Sequence, residues 1–149
     1  MSNNEDKRKE LSKSMVDSEQ QWKAIIKTLT TKLKGDVKDV IELQADTISY
    51  RQIVVDEVKT YGVKIYKLVQ KMKVLSKDRF EFYATSYQVK TSGTEKLKLI
   101  EADLSEHQLL INELDEHVNY LRETSKNLES INYGIKNKIE LTNILGGYK

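Results

Sequence analysis

From Trp22 onward the apolar residues recur at three- and four-residue steps, the period of a helix with one buried face. Trp22, Ile25, Ile26, Leu29 and Leu33 make one stripe, which predicts a helix over about 17–33. The preceding stretch, "MSNNEDKRKELSKS", is polar and without period, so it is expected to fray or stay disordered. Lys34-Gly35-Asp36 reads as a C-cap glycine followed by a new N-cap. Val37, Val40, Ile41, Ile48, Val54, Val55 and Val58 then continue the helical spacing; their β-branched content favours strand, but strict two-residue alternation is absent. Beyond Gly62, a candidate kink or break, the stripe runs through Ile65, Leu68, Val69, Met72 and Leu75. "ATSYQVKTSGTEK" loses the period and carries Ser, Thr and Gly, which predicts a loop.

A last helix is predicted from near Asp103, with Glu106 three residues on as the reciprocal cap. Its seam comprises Ile111, Leu114, Val118, Leu121, Leu128, Ile135 and Ile139, interrupted by polar Ser125 and Asn132. Roughly 40 residues at 1.5 Å each give about 60 Å of helix, and a near-heptad seam of that length usually meets another chain. Leu110, Ile131 and Leu141 widen the face beyond what two strands need. The expected fold is therefore all-α and elongated, with a long C-terminal helix and a core completed by homo-oligomerisation. The segments are an N-terminal extension over 1–34, a basic helical segment over 35–84, a linker over 85–102 and the oligomerisation helix over 103–149.

Composition agrees with long helices, because 149 residues contain no proline, the usual terminator. The absence of cysteine excludes disulfides, thiolate metal sites and cysteine nucleophiles, and makes a reducing cytosol the default. No apolar run approaches the roughly 20 residues of a membrane span, and the N-terminus has no signal-peptide core. A net charge of +2 conceals a polarity along the chain. Residues 59–100 carry ten basic and three acidic side chains, whereas 101–149 carry five basic and nine acidic.

Enzyme signatures are missing: there is no GxxxxGK, GxGxxG or HExxH, so no catalytic activity and no cofactor are expected. Asp103 with His107, and Glu113 with His117, share a helix face and could pair as metal ligands. A solvated polar face explains them more simply, and no metal is expected. "KMKVLSKDRFEFYATSYQVK", Lys71–Lys90, is different in kind. Holding a single strand takes cations along the phosphates and aromatic faces for unstacked bases. Lys71, Lys73, Lys77, Arg79 and Lys90 supply the first, with Lys67 one turn earlier; Phe80, Phe82, Tyr83 and Tyr87 supply the second. The plain alternative is a helix end whose aromatics close the apolar stripe and whose lysines face water.

"LSKDRFEFYA", Leu75–Ala84, resembles the Lys-x-Arg-[Leu/Phe]-[Asp/Glu]-[Tyr/Phe]-Tyr segment of the UvsY recombination mediators of T-even-like phages. The C-terminal part, with "GIKNKIELTNILGG", is similar to that family's terminal helix and its Ile-Lys-Asn-x-Ile-Glu run. The resemblance covers about 50–147 and leaves the first 40 or so residues without a counterpart. It implies a ring-like homo-oligomer in the host cytoplasm that binds single-stranded DNA and helps a phage RecA-like recombinase displace the phage single-strand-binding protein. Carried over, the DNA contacts would be Lys77, Arg79, Phe82 and Tyr83, and the assembly residues Leu121, Leu128, Ile131, Ile135 and Ile139. With the neighbouring cations and seam positions, the full candidate sets are Lys67, Lys71, Lys73, Lys77, Arg79, Phe82, Tyr83, Tyr87 and Lys90 for DNA, and Leu114, Val118, Leu121, Leu128, Ile131, Ile135 and Ile139 for assembly. Phe82-Tyr83-Ala84-Thr85 stands where the family has Tyr-Tyr-[Ser/Thr]-Gly, so its glycine turn is lost. The competing reading is a structural helical assembly protein whose lysine-rich middle answers the acidic last third of a neighbour. A membrane-surface role is disfavoured, since no helix has a one-sided Trp/Phe-rich face.

Overall fold

The computed structural model describes residues 2–87 and 89–146. Among these there is no strand; the chain forms α1 (Ser2–Leu33), α2 (Val37–Glu81) and α3 (Gly93–Gly146), with a π-helical turn over Phe82–Ser86. Two compact units result, one from Met1–Thr60 with His117–Lys149, the other from Tyr61–Glu116.

Three expected boundaries move. The polar opening is helical from Ser2, because once a helix is nucleated each further residue adds a hydrogen bond, and Glu, Lys and Arg are good helix formers. Gly62 does not end α2, which runs unbroken for 45 residues. The last helix starts at Gly93, ten residues before Asp103. Its cap is Ser92 with Glu95: the Glu95 amide donates to Ser92 Oγ and the Ser92 amide to Glu95 Oε2, each at 3.2 Å. This reciprocal pair is a capping box, worth about 1 kcal/mol.

At the α1–α2 connection the N-cap is as the composition predicts, and the left-handed glycine C-cap expected at Gly35 is not formed. The Asp39 amide donates to Asp36 Oδ1 at 3.0 Å, the expected N-cap bond. Gly35 sits in a tight spot without a left-handed backbone, since no described glycine has positive φ. A Cβ there would lie 2.8 Å from Asp39 Oδ2 and 3.1 Å from the Lys32 carbonyl oxygen. Lys138 of α3 caps the α1 C-terminus by donating to the Leu33 carbonyl at 2.8 Å and to that of Gly35. A cation suits the negative end of the helix dipole.

In the first unit the buried side chains come from all three helices. Met15, Trp22 and Leu29 recur every seven residues on α1; Val40, Leu43, Thr47 and Val54 line α2; Val118, Leu121, Thr124, Leu128, Ile131 and Ile135 line α3. Each large aliphatic so buried contributes up to about 1.5–3 kcal/mol. The two hydroxyls are satisfied locally, Thr47 on the Leu43 carbonyl at 2.8 Å and Thr124 on that of Tyr120 at 3.0 Å. Trp22 donates to Glu57 at 3.1 Å and meets Tyr50 edge-on at 5.9 Å.

This core changes the account of the seam. Val118, Leu121, Leu128, Ile131 and Ile135, expected between copies, are buried within a single chain, and Ile139 is half-buried. Leu114, in the second unit, is likewise buried.

Candidate nucleic-acid interface

The second unit joins the end of α2 to the start of α3, and its core is thin. Tyr83, Ile100 and Leu104 are buried together, with Met72, Leu75, Tyr87 and Leu99 packed against them. Ile65, Leu68 and Val69 are only half-buried.

The π-helical turn shapes the aromatic end of α2. Its closing bond runs from the Tyr87 amide to the Phe82 carbonyl at 3.0 Å, a five-residue loop that brings Phe82, Tyr83 and Tyr87 together. Tyr83 meets Tyr87 at 5.0 Å and Phe82 at 5.2 Å, both edge-on. The Tyr83 hydroxyl donates to Asp103 Oδ2 at 2.7 Å, and Arg79 Nε donates to the same oxygen at 2.9 Å. The Arg79 guanidinium lies 4.4 Å from the centre of the Phe82 ring and 5.3 Å from that of Tyr83. These contacts hold the Asp103 carboxyl below its ordinary range, through the Tyr83 hydroxyl first and Arg79 after it. Arg79 is shifted upward, again through Tyr83 first and Asp103 second.

Tyr83 therefore does not present a stacking face: only 7% of it is exposed. Arg79 is half-buried and its charge is met by Asp103. Tyr87 is half-buried, and Phe82 is 37% exposed. Of the predicted DNA residues, Lys67, Lys71, Lys73 and Lys77 are exposed on α2, and Lys90 is exposed in the connection to α3.

Alongside those lysines the structure exposes aromatics that sequence reasoning underrated. Tyr66 is 65% exposed and Phe80 is 53% exposed. Tyr66, Lys73 and Phe80 stand seven residues apart, on one line along the helix, spanning about 21 Å. Lys67 and Lys77 are exposed on the same stretch of helix, as are Val63 and Val74. The signal for Tyr66 was present in its position off the apolar stripe of Ile65, Leu68, Val69 and Met72. Only two acidic residues, Asp78 and Glu81, share this part of α2.

One member of each histidine pair is engaged elsewhere. His117 is buried in the first unit with Nδ1 3.8 Å from Glu19 Oε1, and burial pushes its pKa below the ordinary value, against Glu19 and Glu57. Asp103 is held by Tyr83 and Arg79. Among the described residues no group of three or more His, Cys, Asp or Glu could hold a metal, and no helix is long and apolar enough to cross a membrane. No protein-family model, curated protein or solved structure matches this chain.

Proposed function

We propose that the chain is a non-enzymatic binder of single-stranded DNA, and that it acts as a recombination mediator, helping a RecA-like recombinase replace a single-strand-binding protein on DNA. The observation that carries the binding reading is the exposed face of α2, where Tyr66 and Phe80 alternate with Lys67, Lys73 and Lys77. Lysines neutralise the phosphates, and exposed rings give sequence-tolerant stacking. Phe82 adds a partly exposed ring beyond the end of α2; Lys71 and Lys90 add charge. The mediator step, its recombinase and its single-strand-binding partner rest on the resemblance to the UvsY family alone.

Titration of labelled oligo-dT against a hairpin duplex at several salt concentrations tests the binding. Preference for the single strand is expected, with a salt slope of up to about −3.5 per chain if Lys67, Lys71, Lys73, Lys77 and Lys90 each meet a phosphate. Equal affinity for the duplex, or affinity indifferent to salt, would overturn the reading. A structural assembly role is the second reading, favoured by the run 101–116, which holds six acidic residues and no lysine or arginine. On that reading the lysines of α2 meet carboxylates of another copy, and oligo-dT does not bind.

A further inference from the structure

The α2 segment of the first unit buries one face, formed by Val40, Leu43, Thr47 and Val54, and yet carries a second apolar line on its exposed side. Ile41, Ile48 and Val55 recur every seven residues and are each more than half exposed, Ile48 by 56%. Ala45 and Gln52, also exposed, fall between them, so 41, 45, 48, 52 and 55 form a four-three-four-three seam. A helix with one buried stripe does not need a second one, and three β-branched aliphatics more than half exposed at heptad spacing are more apolar surface than a solvated helix face calls for.

We infer that this seam is where α2 pairs, in parallel, with α2 of a second copy of the chain. The charges beside the seam select both the partner and the direction. Arg51 and Asp56 flank it on opposite sides and are five residues apart. In a parallel heptad pair, residues so placed face each other across the two chains, giving Arg51 to Asp56 of the other copy, twice by symmetry. An antiparallel pair at full overlap instead sets Glu42 against Asp56, also twice, which repels. Gln52 at an inner position fixes register at some cost in stability, and Lys38 and Lys59 close the apolar run at either end. This surface shares no residue with the α3 seam, which is buried in the single chain, or with the α2 lysines beyond Tyr61. The pairing needs no nucleic acid, so its failure and that of the DNA-binding reading are separately visible.

Because the chain has no cysteine, one introduced thiol reports the geometry without interference. Light scattering of the unaltered protein should give a multiple of the 17.3 kDa chain, and Ile48→Glu should return it to one chain. The thermal melt of Ile48→Glu should stay close to that of the unaltered protein under conditions that keep both as single chains, since more than half of Ile48 is exposed in the single chain. Ala45→Cys alone should oxidise to a disulfide-linked dimer, because equivalent inner positions face each other in a parallel pair. Arg51→Glu should weaken the assembly, and adding Asp56→Arg should restore it. A single-chain mass for the unaltered protein, or a multiple that survives Ile48→Glu, overturns the inference. A disulfide that forms only when Ala45→Cys and Gln52→Cys proteins are mixed overturns the parallel direction.

Discussion

Tyr83 and Tyr66 lie 17 residues apart on the same helical stretch, and the structure gives them opposite fates, which Tyr83→Ala and Tyr66→Ala should separate. Tyr83 is buried against Ile100 and Leu104, and its hydroxyl is bonded to Asp103 at 2.7 Å. Truncating a buried aromatic costs about 3 kcal/mol or more. At about 2–4 °C per kcal/mol for a chain of this size, the melt should fall by roughly 6–12 °C. Tyr83→Phe isolates the hydroxyl and should cost about 1.5 kcal/mol, the low end for a bond to a charged group, because a third of the Asp103 side chain stays in water. Tyr66→Ala removes a ring that is 65% exposed and should leave the melt within about 0.5 kcal/mol. Its loss should instead weaken oligo-dT binding by about 1–3 kcal/mol, roughly 5- to 150-fold. Circular-dichroism melts and oligo-dT titrations on the same preparations provide both numbers. If Tyr83→Ala melts normally but loses DNA while Tyr66→Ala binds normally, the assignment of core and interface on α2 is wrong.

Replacing Lys73 and Lys77 together with Gln should lower the magnitude of the salt slope by about 1.4 without moving the melt, read from titrations at four salt concentrations. For His117, burial depresses the folded pKa, so the unfolded chain takes up the proton first; the stability at stake is whole above about pH 6.5 and is lost as pH falls toward the folded value. His117→Leu should therefore flatten the fall in melting temperature between about pH 7 and pH 5, and an unchanged pH dependence would refute the role given to burial. Ser92→Ala should destabilise the start of α3 by about 1 kcal/mol, seen as faster amide exchange at Thr94 and Glu95.

Helical class, the Asp36 cap and the basic-to-acidic polarity were all legible in the residues, because each depends on neighbours within one or two turns. So was the start of α3, had Ser92-Gly93-Thr94-Glu95 been weighed as the capping box it is, rather than as loop composition. Periodicity reports that a face is covered and is silent on what covers it. The α3 seam at Leu121, Leu128 and Ile135 fitted a second copy as well as a neighbouring helix, and only the tertiary structure shows these residues buried in one chain, with α1 and α2 contributing Trp22, Leu29, Val40 and Leu43 to the same unit's core. The aromatic end of α2 was undecided for the same reason. Tyr83 is withdrawn from solvent by Asp103, 20 residues away in sequence, and by a π-helical turn that no local propensity announces. Tyr66, on the uncovered side of the helix, stays in water. Burial is a long-range property: it is set by which segments the chain brings together, and residue spacing alone fixes only the direction in which a side chain leaves its helix.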